Sequence, residues 1–134
     1  MRKLIVLLLL AMLSGGAAAD WVVVNLSDDG MVAYADPATI RKSGNMVRMW
    51  NLMDFKTAEL MGDRGFLSQK SQQEYDCKNE RIRLIYFTWH SGNMGKGNVV
   101  HTVNRTTDWH PVSPGSINED LWRLACGKNG NTLV

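Results

Sequence analysis

Only two cysteines, Cys77 and Cys126, occur in the 134 residues, with three prolines and three histidines. The cysteines stand far apart and form no C-x-x-C pair, and no His/Cys cluster lies near either one. Redox-motif and zinc-site readings therefore lose their usual spacing. Charge of one sign is lacking too. Arg2 and Lys3 belong to the N-terminal leader described below. Removing them takes the 15 basic residues to 13, equal to the 13 acidic ones. A balanced chain gives no global pull on nucleic acid, so any charge-driven contact has to come from a local patch. Long apolar runs are missing after residue 13, so no membrane-spanning helix is expected beyond that point. Catalytic signatures are absent as well. No G-x-S-x-G elbow holds a serine, and GNMGKGN (92–98) lacks phosphate-loop spacing. Asp28-Asp29 and Glu119-Asp120 read as a turn and a helix start rather than as paired catalytic acids.

What is present begins with an address. Arg2-Lys3 precedes the apolar run Leu4–Leu13, and Ala17-Ala18-Ala19 supplies the small residues of a cleavage site. That run matches the core of a signal peptide and is too short to span a bilayer. Residues 1–19 are expected to be a signal peptide and residues 20–134 one exported domain. No cysteine lies near the cleavage site, so a lipoprotein is not expected. Export exposes the two thiols to oxidation, which predicts a Cys77–Cys126 disulfide. It would close a loop of about 50 residues, worth on the order of 4 kcal/mol in the chain-entropy account.

Residues 21–26 and 31–36 read as a hairpin turning at Asp29-Gly30. Asp36-Pro37 looks like a helix cap with proline in the first turn, predicting one or two helical turns over 38–42. Residues 45–55 alternate as a strand, with the Trp50/Leu52 face expected in the core and 56–65 expected as a loop. Residues 66–77 read as a strand with one exposed face. Residues 81–90 read as the central strand, 91–98 as a glycine loop and 99–105 as a strand. Ser116 with Glu119 forms a capping box opening a C-terminal helix, in which Ile117, Leu121 and Leu124 make a stripe beside Trp122 and Cys126. The helix is expected to dock against the sheet edge that carries Cys77. The result is an α+β domain: an antiparallel sheet of about six strands with a C-terminal helix packed on it and one disulfide.

Candidate sites are few. His90 and His101 are expected to neighbour each other across the 91–98 hairpin. A metal or haem site there, with Met94, is conceivable, but two ordinary surface histidines are the preferred reading. The methionines read as core filler, and most of the five tryptophans are expected in the core. Arg81 and Arg83 share a strand face. With Lys78 nearby, and Lys70 close if 66–77 and 80–90 pair, they form a candidate basic patch for an acidic or sulfated partner.

Trp21, Tyr34-Ala-Asp36, Ile40, Gly44, Val47-Arg-Met-Trp50 and Leu52 form a recognisable order of landmarks. It continues through Ser68, Glu74-Tyr-Asp-Cys77, Arg81 to Tyr86 and Trp109, and ends in Pro114-Gly-Ser116, Glu119, Leu121 and Cys126. In this order the chain resembles the surface-adhesin protein E-like family of small exported bacterial domains. The resemblance implies an antiparallel sheet, a packed helix and a disulfide between the two cysteines. It also implies a non-enzymatic domain without a cofactor that binds host extracellular or envelope proteins. The alternative is a soluble periplasmic protein that binds a small ligand or senses envelope conditions. The expected location is the periplasm, the medium or the cell surface. A free edge strand would also support a homodimer.

Overall fold

The computed structural model describes residues 19–128. Residues 1–18 of the expected signal peptide and the tail from Asn129 lie outside the described residues. Seven strands form one antiparallel sheet: β1 (Val22–Leu26), β2 (Val32–Ser43), β3 (Met46–Met61), β4 (Arg64–Asp76), β5 (Arg81–His90), β6 (Val99–Val103) and β7 (His110–Pro111). The first six are neighbours in chain order, and β7 pairs with β5 beside β6. A single α-helix among the described residues, α1 (Ile117–Ala125), follows.

The β1–β2 hairpin forms as its sequence predicts. Gly30 takes φ +88°, and Asp29 Oδ1 accepts from the Met31 amide at 3.1 Å. Asp36-Pro37 does not start a helix. It makes a bulge inside β2, where the register with β3 shifts between Asp36 and Arg41. The capping chemistry is real but serves the bulge. Asp36 Oδ1 accepts from the Ala38 amide at 3.2 Å, and Thr39 Oγ1 donates to the Asp36 carbonyl at 2.6 Å and accepts from the Trp50 amide at 2.9 Å. Proline lacks an amide hydrogen, and a bulge asks for none there.

The expected loop over 56–65 is also strand. β3 and β4 run on as an exposed arm, pairing Glu59 with Phe66 and Met61 with Arg64 around a Gly62-Asp63 turn in which Gly62 has φ +63°. Residues 56–60 and 62–65 are exposed whichever way they point, so the arm carries no hydrophobic alternation, and only Phe66 at its base is buried. β5 is an interior strand, but β3 and β4 are the middle pair of the sheet.

The core sits between one sheet face and α1. Ala35, Val47, Met49, Tyr75 and Ile82 meet Leu121, Trp122 and Ala125. In β3 the core face under the helix is thus Val47/Met49, not Trp50/Leu52. Leu52 is fully buried nonetheless, because the 91–98 loop folds over it on the other face, where Gly95 approaches its side chain. Ser116 caps α1 by accepting from the Glu119 amide at 3.1 Å, and Glu119 Oε1 accepts in return from Gly115 at 3.3 Å. Cys77 and Cys126 form the disulfide. It ties α1 to the end of an interior strand rather than to a sheet edge. One residue earlier, Trp122 Nε1 donates to the Asp76 carbonyl at 2.9 Å. Of the five tryptophans only Trp122 is a core residue; Trp21, Trp50, Trp89 and Trp109 are half-buried.

Candidate binding face

The helix covers one face of the sheet, so strand alternation leaves the other set of side chains outward. Register puts Arg48, Glu74 and Arg83 in one cross-strand row on that face. Each Glu74 oxygen takes one arginine: Oε2 accepts from Arg48 Nε at 3.1 Å and Oε1 from Arg83 Nε at 2.8 Å. Burial pushes the Glu74 carboxyl up, but the hydrogen bonds and charges of the two arginines outweigh it and hold the group below its ordinary value.

The next row repeats the pattern at the strand ends. Asp76, closed off from solvent, accepts from Arg81 Nε at 2.9 Å, from the Lys78 and Asn79 amides at 3.1 and 3.0 Å, and from Asn79 Nδ2 at 3.1 Å. Burial pushes this carboxyl up too, yet its donors, Asn79 foremost and then Arg81 and Lys78, bring it down to about 2.

Trp109 completes the patch. Its ring lies 4.7 Å from the Arg81 guanidinium and 4.3 Å from that of Arg83. The connection that carries it is pinned to β5: the Thr107 amide donates to the Leu84 carbonyl at 2.9 Å and the Leu84 amide to Thr107 Oγ1 at 3.0 Å. The short strand β7 then pairs with Arg81 and Ile82. Sequence reasoning found both arginines but not the tryptophan, because 26 positions of chain separate Trp109 from Arg83 and only the Thr107–Leu84 bonds and the short strand β7 bring them together.

The four basic residues singled out from sequence are placed unequally. Arg81 and Arg83 share Trp109. Lys78 is exposed in the turn that follows Asp76. Lys70 is on the outward face, but it pairs with Thr88 while Arg83 pairs with Glu74. Four residues along β4 separate those rows by about 13 Å. Lys70 stands instead over the Trp50 ring, 5.2 Å from its centre.

The histidines are not neighbours. His101 pairs with Trp89 and His90 with Val99, so the two point to opposite faces. His90 is also buried, with Nε2 2.7 Å from Thr88 Oγ1. Burial, with Lys70 adding to it, pushes its pKa down. The surface-histidine reading is therefore corrected for His90. Among the described residues no group of three His, Cys, Asp or Glu side chains has metal-holding geometry. Met49 is core filler as expected.

Residues 21–127 match the family described as Surface-adhesin protein E. The chain belongs to this family. Solved structures of Haemophilus influenzae protein E share its fold. Crystal form II superposes with a TM-score of 0.65 at 11% identity, covering 86% of this chain and 93% of that one. A second structure, of protein E from non-typeable H. influenzae, gives 0.63 at 10% identity, covering 87% and 82%. No curated protein matches at a significant level. At such identity the likeness shows the fold alone. Family membership makes this an adhesin-like protein. No helix among the described residues is long and apolar enough to cross a membrane.

Proposed function

We propose that the chain is an exported, non-enzymatic binding domain that contacts an extracellular protein through the uncovered sheet face, with Arg81 and Arg83 at the centre and Lys78 and Lys70 around them. The observation that carries this reading is the pair of guanidiniums stacked on one tryptophan. Arg81 and Arg83 are 39% and 32% exposed in their side chains. They are fixed by carboxylates on one side and by Trp109 on the other. Tryptophan and arginine held rigid at a half-buried surface are the residue types that dominate protein interfaces. Pre-fixing them lowers the ordering cost of binding. Membership of an adhesin family supports the same reading.

The arginines also hold buried carboxylates, so reversing their charge would disturb the fold. Lys70→Glu with Lys78→Glu reverses the rim and leaves those pairs intact. Arg81→Gln with Arg83→Gln, monitored by thermal melting, tests the centre. Each variant is expected to bind immobilised extracellular-matrix proteins roughly tenfold more weakly than the native chain, the loss given by about 1.4 kcal/mol. Native-level binding by both folded variants rules out the face.

A further inference from the structure

A second surface on the same side of the sheet carries its own chemistry. Trp21, Lys70, Met94, Gly95 and Lys96 line an open cleft of about 410 Å³, together with Ala19, which the expected cleavage removes. Lys70 stands over Trp50, so an indole lies beneath the cation as well as beside the cleft. No carboxylate is among the lining residues.

The wall formed by the 91–98 loop is built rather than loose. Ser68 Oγ donates to the Gly92 carbonyl at 2.7 Å and accepts from the Gly95 amide at 2.9 Å. Asp54 Oδ1 accepts from the Met94 amide at 2.8 Å and from Asn93 Nδ2 at 3.1 Å. These bonds hold Met94 at φ +57°, a conformation unfavourable for a residue with a side chain. Gly97 is required nearby, because a Cβ there would lie 2.4 Å from Ser91 Oγ. Backbone held this way against its preference positions side chains, and such strain gathers where a surface is used.

We infer that this cleft binds an anionic oligosaccharide carrying uronate or sulfate groups. The indole of Trp21 offers a flat apolar surface suited to the C–H face of a sugar ring. The two lysines supply point charges that accept a carboxylate or sulfate in any orientation, unlike the planar fork of arginine. An open cleft with one wall and a floor suits a polymer passing through it, whereas a small apolar ligand calls for enclosure. The cleft shares Lys70 with the rim of the arginine face, but Trp21 and Lys96 take no part in that reading, so substitutions at those two report on the cleft alone.

The test uses the exported chain, residues 20–134, titrated at low and physiological salt and followed by tryptophan fluorescence and calorimetry. Three oligosaccharides of equal length serve as probes: one sulfated, one with uronate only and one neutral. Both anionic probes are expected to bind and the neutral one not, with affinity falling as salt rises. Binding of the sulfated probe alone would narrow the anion the site takes to sulfate. Lys96→Glu is expected to weaken binding about tenfold, and Trp21→Ala by a similar factor with no change in salt dependence. Lys96 is exposed, so its reversal leaves the fold intact. The proposal is overturned if neither anionic probe binds, or if Lys96→Glu and Trp21→Ala both bind like the native chain. It is equally overturned if the neutral probe binds as well as the charged ones. Arg81→Gln with Arg83→Gln should leave oligosaccharide binding unchanged, so failure here and failure of the protein-binding reading are separable.

Discussion

Asp76 joins the turn after β4, the arginine of β5 and the helix. Its carboxylate gathers the turn amides and Arg81, while its carbonyl receives the Trp122 indole. The group titrates near 3.8 when unperturbed and near 2 in the fold. Its stabilising contribution is therefore fully present above about pH 4 and is lost as pH falls through about 2. The size is on the order of 2 kcal/mol. Glu74, also lowered, acts in the same direction. Urea unfolding between pH 5 and pH 2 should show stability falling over this window. Asp76→Asn should be less stable at pH 7 and should fall less steeply toward acid. An equal acid slope in the variant would mean that other carboxylates set it.

Among the elements, α1 depends most on its attachments. Nine residues are too few to hold a helix in water unaided. Packing of Leu121, Trp122 and Ala125 and the Cys77–Cys126 bond hold it in place. The bond spans 49 residues of sequence, so its loss should cost on the order of 4 kcal/mol. For a domain of this size that corresponds to a melting temperature lower by roughly 15 °C or more. Cys77→Ala with Cys126→Ala, compared with native protein with and without reductant, measures this; equal melting points would show that packing alone carries the helix. This helix was legible in sequence because its cap, its stripe and its cysteine all agree. So was the meander, where apolar residues alternate or Asp-Gly marks a turn. The β2 bulge was not legible, because an aspartate bonding the amide two residues on, followed by proline, looks the same at a helix start and at a bulge. The β3–β4 arm was not legible either, since a ribbon exposed on both faces has no face to pattern. Of the candidate face, the basic residues could be read, but Trp109 could not. Its place is set by the Thr107–Leu84 bonds and a two-residue strand, both too short to leave a signal.

At the scale of the whole molecule, one helix covers one face of one sheet. The arginines with Trp109, and the lysines with Trp21 and Trp50, all fall on the face that is left open. Apart from the end covered by the 91–98 loop, where Leu52 is buried, that face is free to meet a partner. The fold is shared with the solved H. influenzae proteins at 11% identity, a likeness that carries the fold and not the partner. What this face meets then depends on where the cell places it. If the face serves adhesion, it has to stand outside the cell. External protease applied to intact cells of the native bacterium should remove the protein, while a cytoplasmic marker survives. The disulfide and the short loops of the meander resist cleavage, so the digestion should be repeated with reductant and scored by an antibody to the exposed β3–β4 arm. Survival in intact cells, with release on osmotic shock, would place the face in the periplasm. Its partner would then have to be an envelope component, and the shared fold would carry a different task.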